Sequence, residues 1–220
     1  MARVHLESLL RARKLDVTLT DTSVPRAPDD LAATGVLAVD AALSGGFVRG
    51  QLSEIVGPRS SGRTAVLCQT LRAATARGEL VALIDTSDRF DPVSTGAEGL
   101  DLSRLLWIRD TGDAARALKA ATLVLQAGNF GIVAFDLADV SSPTVRAFPF
   151  TTWLRIARIV EGSQTVALII GSDHIARSPG GVTLTLESSV RDPRVRWAGT
   201  SNRARLLNGV ELKSRIIGGR

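Results

Sequence analysis

The segment spanning residues 57–64, Gly-Pro-Arg-Ser-Ser-Gly-Arg-Thr, has the residue types and spacing of a phosphate-binding loop. It follows the pattern G-x-x-x-x-G-K-[ST], in which the glycines let the backbone wrap a phosphate and the next helix adds positive potential. An apolar run precedes it and a helical pattern follows it, which is the context that the motif requires. The candidate nucleotide-binding residues are Gly57, Ser60, Ser61, Gly62, Arg63 and Thr64.

Arg63 stands where the pattern requires Lys. Lys is a compact point charge that reaches between phosphates, whereas Arg is a wider planar fork that is always charged. We therefore expect the change to impair positioning in a transition state more than binding. Two alternatives stay open: the loop has lost useful nucleotide binding, or it is a Gly/Ser-rich turn without a ligand.

The chain around this loop alternates between apolar runs and helical patterns, which is typical of an α/β fold with a parallel sheet covered on both faces. Strands are predicted at 52–56, 80–85, 105–108, 131–136 and 166–171. Helices are predicted at 37–43, 65–77, 113–126 and 143–160, the last with Ser142 as N-cap and Pro149 as a point where it splits. Strand-like pieces at 182–187, 194–197, 203–207 and 211–216 predict an antiparallel C-terminal extension of the sheet.

The first 33 residues are predicted to form an arm, and residues 34–220 the core. Residues 6–14 have the pattern of a short basic amphipathic helix, and residues 18–28 are rich in linker residues. No apolar run approaches the roughly 20 residues of a membrane span, and the N-terminal residues lack the apolar centre of a signal peptide. With one cysteine in the chain, we expect a cytoplasmic protein that has no contact with a membrane.

The basic charge of the chain is concentrated near its C-terminus. Residues 191–220 contain eight Arg or Lys and two acidic residues, a net charge of +6 in a chain whose total is +5. Such a segment favours weak, non-specific binding of nucleic acid, for which Arg203 and Arg205 are the candidate DNA contacts. The alternative is a general preference of the source for Arg over Lys.

Several stretches, which follow one another along the chain in the order typical of the family, together resemble the core of the RecA ATPases. These are residues 34–43, residues 45–58, the strand 131–136 that ends in Asp136, and Lys213-Ser214-Arg215. The resemblance implies ATP and Mg²⁺ as cofactors, unless they have been lost, with Thr64 and Asp136 as the metal ligands. It also implies that Lys213 and Arg215 contact the phosphates of a neighbouring subunit's nucleotide.

The departures from the family pattern concern the catalytic site. The catalytic Glu of the family corresponds to Ser87, and the adjacent Asp88 is a shorter substitute. The sensor Gln corresponds to Asp173 or to His174, which is either a polar sensor of the terminal phosphate or a hydrogen-bonded loop histidine. Only Ala176–Pro179 remains of the second DNA-binding loop. We therefore expect weak or absent hydrolysis.

Residues 6–16 ahead of such a core resemble the ImuA-type proteins, RecA relatives of the SOS response that accompany polymerases in damage-induced translesion mutagenesis. The resemblance implies an accessory role through contacts with RecA or with mutagenesis-polymerase components. It also implies self-association through residues 1–16. Two other functions stay open: an active DNA-dependent ATPase of the recombinase type, and a nucleotide-binding regulator outside DNA repair.

Overall fold

The computed structural model describes residues 27–176, 181–187, 195–199, 206–210 and 214–218, and confirms the alternation of strands and helices. The helices are α1 (Leu37–Ala42), α2 (Arg63–Ala76), α3 (Pro92–Ala97), α4 (Ala114–Ala127), α5 (Ser142–Arg146) and α6 (Phe150–Val160). The strands are β1 (Leu31–Ala32), β2 (Phe47–Val48), β3 (Leu52–Val56), β4 (Val81–Asp85), β5 (Leu105–Arg109), β6 (Ile132–Asp136), β7 (Val166–Gly171), β8 (Val182–Leu186), β9 (Val195–Ala198), β10 (Leu206–Val210) and β11 (Ser214–Gly218).

Within the described residues, seven strands form one sheet in the order β11-β8-β3-β7-β6-β4-β5. All neighbouring pairs are parallel except β11 with β8. Successive residues of each central strand alternate between two apolar clusters, as Leu52 and Ile55 of β3 show. Because helices cover both faces, these strands are mostly apolar, although β3 also contains the buried Ser53 and Glu54.

The parallel register brings the carboxyl ends of four strands to one edge of the sheet. Val56 lies opposite Gly171, and Asp136 lies opposite Asp85. Each of these strands continues into a loop at that edge, so the loops after β3, β4, β6 and β7 meet there. Ligands of open α/β sheets bind outside the carboxyl ends of the strands.

The C-terminal extension is only partly as predicted. β11 pairs with β8 in antiparallel register and continues the sheet. By contrast, β9 and β10 pair with each other in a separate two-stranded sheet that has a register shift between Leu207 and Gly209. Their strand-like composition did not indicate which edge they would join.

The helix predicted over 143–160 is two helices. Pro149 has extended backbone angles and precedes α6, so it ends one helical segment and begins the next. Ser141, not Ser142, caps α5, because its side chain accepts a hydrogen bond from the backbone N–H of Thr144. The N-cap prediction was therefore wrong by one residue.

The described structure also extends ahead of the boundary predicted at residue 34. β1 pairs with β2, and Ala32 is fully buried in the apolar cluster that includes Phe47. The packed part of the chain therefore includes residues that the sequence assigned to the arm. None of the helices in the described ranges is long and apolar enough to cross a membrane.

Asp110 is a buried anchor for the start of α4. Its carboxylate accepts hydrogen bonds from the backbone N–H groups of Thr111 (2.6 Å) and Asp113 (2.8 Å) and from the guanidinium of Arg116 (2.7 and 3.1 Å). The bond from Arg116 is the main cause that holds the pKa of Asp110 at about 2. The charged form is therefore the one that the fold stabilises.

We expect Asp110→Asn to lower the free energy of unfolding by about 2 kcal/mol at pH 7, since hydrogen bonds to a charged group are lost. The pKa of Asp110 is lower in the folded chain than in the unfolded one, so its contribution is complete above pH 4 and lost as pH falls towards 2. Urea unfolding of parent and variant at pH 7 and pH 3 measures this. An equal deficit at both values would contradict the assignment.

Candidate functional site

The loop between β3 and α2 has a backbone that its glycines make possible. A Cβ atom on Gly57 would lie 2.4 Å from the carbonyl oxygen of Leu186 and 2.7 Å from Ser61 Oγ, so only glycine fits there. Gly62 has φ +94° at the N-cap of α2, and Ser60 also has a positive φ, of 62°. Left-handed residues of this kind are typical of turns in which backbone N–H groups face one concave surface.

The residues of this loop fit a phosphate group. Among the described residues, no side chain caps the N-terminus of α2, and the first turn of this helix contains no acidic residue. Ser61 is 4% exposed, and its Oγ has no hydrogen-bond partner among the described residues. A buried hydroxyl without a partner and an uncapped helix N-terminus are both satisfied by an anion in the concavity. The loop is thus compatible with a phosphate, and the assignment of its residues to nucleotide binding stays a prediction.

Arg63 is turned into the protein at the end of β7. Its Nη1 donates to the carbonyl oxygen of Gly171 at 2.7 Å, and the residue is only 7% exposed. The backbone N–H of Gly57 donates to the same carbonyl. Burial lowers the pKa of Arg63, and the charges of Asp136 and Asp139 oppose that shift. The guanidinium thus donates to a backbone oxygen inside the protein, whereas the lysine of the pattern would reach towards the phosphates.

The two candidate metal ligands lie at the same edge of the sheet. Thr64 is exposed in the first turn of α2, and Asp136 ends β6, where it accepts a hydrogen bond from the N–H of Ala138 at 2.8 Å. Burial raises the pKa of Asp136 to about 6, and the nearby charge of Asp85 adds to the shift. In the described ranges, no group of three His, Cys, Asp or Glu residues could hold a metal. This donor set suits Mg²⁺, which is usually bound by one or two protein ligands together with phosphate and water.

The loop after β4 contains Ser87 and Asp88. Asp88 is exposed and makes two bonds with the guanidinium of Arg109, at 2.7 and 2.8 Å. The guanidinium lies 4.8 Å from the ring centre of Trp107, and its hydrogen bond lowers the pKa of Asp88. Asp88 is therefore held against β5, and this geometry does not favour it as a substitute for a catalytic Glu at position 87.

Asp85 fixes the path of the same loop, a role that the sequence did not indicate. It is 2% exposed and accepts hydrogen bonds from the N–H groups of Arg89 (3.0 Å) and Phe90 (2.8 Å) and from Trp107 Nε1 (3.3 Å). The position of Asp85 at the end of an apolar strand could have indicated a functional or structural role. The same position is equally typical of a residue that binds a metal or a ligand. The structure gives it a structural role.

His174 belongs to a network around Glu54, in the middle of β3. Glu54 is 2% exposed and accepts hydrogen bonds from the N–H groups of Ile175 (2.9 Å) and Ala176 (2.7 Å) and from Thr183 Oγ1 (2.9 Å). His174 Nδ1 contacts Glu54 Oε2 and Thr183 Oγ1. Of the two interpretations of His174, this favours the hydrogen-bonded loop histidine. Sequence reasoning missed Glu54, although a carboxylate inside a buried strand was a signal.

A cavity of about 510 Å³ lies beside this network, at the same edge of the sheet. Its apolar wall comes from the loop after β6 and from α5 and α6, where Phe148 and Trp153 pack edge to face. Its polar wall comes from Ser142, Arg146 and residues 172–174. The sequence did not predict it.

The remaining predicted contacts are mostly outside the described residues. Lys213, Arg203 and Arg205 lie there, as do residues 1–16 and most of the shortened segment Ala176–Pro179. Arg215 is exposed on the edge strand β11, opposite Thr185 of β8. The roles proposed for these residues in DNA binding and in contacting a neighbour's nucleotide stay predictions.

Comparison with known proteins gives a consistent family and fold. The model of the RecA N-terminal domain matches residues 17–146. Protein RecA of Frankia alni is 37% identical over 113 residues, which are 50% of this chain and 32% of that protein. Protein RecA of Corynebacterium jeikeium is 35% identical over 120 residues, 54% of this chain and 32% of that protein. The chain thus spans about a third of the length of these relatives.

Among solved structures, the crystal structure of the RadB recombinase is similar to this one. The TM-score is 0.58 at 20% sequence identity, and the match covers 76% of this chain and 87% of that chain. At this identity the likeness shows the fold alone.

Proposed function

The chain belongs to the RecA family, and from that premise we propose that it is a nucleotide-binding accessory protein of DNA repair with weak or absent hydrolysis. We assign it to damage-induced translesion mutagenesis, where it acts through contacts with other proteins. The observation that carries the proposal is the state of the phosphate loop: its backbone and Ser61 fit a phosphate, while the buried Arg63 donates to the carbonyl of Gly171.

The carboxylates at this edge support binding without turnover. Asp85 holds the loop after β4, and Asp88 is paired with Arg109. Ser87, at the family's catalytic position, has no carboxylate with which to activate water. This edge of the sheet therefore keeps a backbone that can bind a phosphate but lacks a carboxylate that could activate water. Loss of one positioned acid or base commonly lowers the rate by about 10²–10⁴-fold.

Binding and turnover, measured on one preparation, test this proposal. Calorimetric titration with ATP and Mg²⁺ should show saturable binding, and phosphate release should stay near background with and without single-stranded DNA. A chain that does not bind ATP contradicts the nucleotide part. DNA-stimulated turnover at the rate of an active recombinase contradicts the accessory role and favours the DNA-dependent ATPase.

The amphipathic pattern of residues 6–14 supports the part of the proposal that concerns partners. A helix this short is marginal alone, so we expect it to dock on another subunit or on a mutagenesis-polymerase component. Deletion of residues 1–16 should reduce the mass in light scattering, or abolish co-purification with those components from damage-treated cells. Unchanged results in both measurements would mean that the segment packs on its own core.

We expect single-stranded DNA to bind weakly and through its phosphates, with a dissociation constant of ~10⁻⁴–10⁻⁶ M at physiological salt. Replacing Arg203, Arg205 and Arg215 together with Ala should remove most of this affinity. It should also flatten the dependence of log K on log salt by about 0.7 for each DNA phosphate that the variant no longer neutralises. Anisotropy of a labelled oligonucleotide across a salt series measures both. Parent-like binding by the triple variant would exclude the basic segment as the DNA site.

A further inference from the structure

Three loops at the carboxyl edge are joined by one carboxylate. Asp139, in the loop after β6, bonds to Arg59 of the phosphate loop at 2.9 Å and lies 3.6 Å from Arg89 in the loop after β4. β4 and β6 are neighbours in the sheet, whereas β7 separates β3 from β6. The pair of Arg59 with Asp139 therefore bridges the end of β7, where the Arg63 guanidinium lies.

We propose that Arg59 and Arg89 form a clamp for the distal phosphates of a nucleoside di- or triphosphate, and that Asp139 holds the clamp in place until those phosphates displace it. This inference rests on the proposed function, because it assumes that the phosphate loop binds a nucleotide. It adds two contacts from this chain's own loops. The phosphate-loop pattern G-x-x-x-x-G-K-[ST] specifies neither residue, because Arg59 occupies one of its x positions and Arg89 lies outside it.

The exposure of the two arginines makes such an exchange feasible. The side chains of Arg59 and Arg89 are 83% and 71% exposed and that of Asp139 is 28% exposed, so water reaches both pairs and they contribute little to stability. A phosphate oxygen offers each guanidinium a charge-assisted bond of at least equal strength. The arginines can therefore leave Asp139 without a cost to the fold.

An independent observation in the phosphate loop indicates where the phosphates would bind. Ser61 Oγ is buried without a partner in the described structure. Arg59 lies within the same loop, and its charge is one of the causes that lower the pKa of the buried Arg63. A phosphate chain that starts at Ser61 would thus continue among these arginines.

Opposite effects of two sets of variants test the clamp. Arg59→Ala with Arg89→Ala should weaken binding of ATP and ADP by about tenfold, since charged hydrogen bonds are lost, and should change AMP binding less. Asp139→Asn should tighten binding of ATP, because it removes the competing anion. Arg72→Ala is the matched control: the side chain of this exposed arginine of α2 bonds only to Gln69 in the described structure, and the variant should bind like the parent.

The outcomes separate the clamp from the proposed function. Calorimetry with ATP, ADP and AMP supplies the affinities, and thermal unfolding verifies that each variant is folded. If the parent binds no ATP, the proposed function fails and the clamp with it. If the parent binds ATP and the double variant binds equally well, the clamp alone is overturned. Weaker binding of ATP by Asp139→Asn would also overturn it. In a purely structural network, the loss of either the arginines or the carboxylate would weaken binding.

Discussion

A chain that contains both Arg63→Lys and Ser87→Glu should hydrolyse ATP at least about 10²-fold faster than the parent, because a positioned acid or base is commonly worth about 10²–10⁴-fold. The first change replaces a fork that is fixed on the carbonyl of Gly171 by a point charge that can reach the phosphates. The second supplies a carboxylate on the loop that Asp85 already holds in place. Phosphate release with ATP and Mg²⁺, with and without single-stranded DNA, measures the gain.

The single variants should gain much less than the pair, since catalytic groups that act together are far from additive. Thr64→Ala in the background of the double variant is the matched control. It should return the rate to that of the parent if the gain depends on a metal at this site. An unchanged rate in a double variant that still binds ATP would place the defect elsewhere, and His174 would be the next position to examine.

The central strands were predictable because each is a short apolar run between chain-breaking residues. The predicted limits of β3 and β7, 52–56 and 166–171, are those of the structure. Burial on both faces favours apolar residues in such a strand, even though β3 also contains Ser53 and Glu54, so the local sequence contains most of the information. The backbone of the phosphate loop was predictable for a similar reason, since its glycines are required by local geometry.

The partners of the side chains at the site were not predictable, because they depend on contacts between distant parts of the chain. Arg63 bonds to a carbonyl 108 residues away, and Glu54 to an N–H group 122 residues away. No local pattern encodes these pairs, which follow from the order β3-β7-β6 and its register. The same limit applies to β9 and β10, whose composition predicts strands but not their partners.

Glu54→Ala should lower the free energy of unfolding by about 3–5 kcal/mol, the cost typical of removing one member of a buried charged network. The carboxylate is the acceptor for the N–H groups of Ile175 and Ala176 and for the hydroxyl of Thr183. Without it these donors stay buried and unsatisfied, and water cannot reach them without disrupting the packing of β3 against β8. Chemical unfolding at neutral pH measures the loss.

Glu54→Gln separates the hydrogen bonds from the charge. Its amide oxygen can still accept from the N–H groups of Ile175 and Ala176, whereas its amide NH₂ must then face Thr183. We therefore expect a loss clearly smaller than that of Glu54→Ala. Because the side chain of His174 is 34% exposed whereas that of Glu54 is 2% exposed, His174→Ala should cost less than either. If Glu54→Ala and Glu54→Gln were equally destabilising, the charge and not the acceptor geometry would hold the end of β7 to β3; if Glu54→Ala cost less than about 1 kcal/mol, the network would contribute little to the fold.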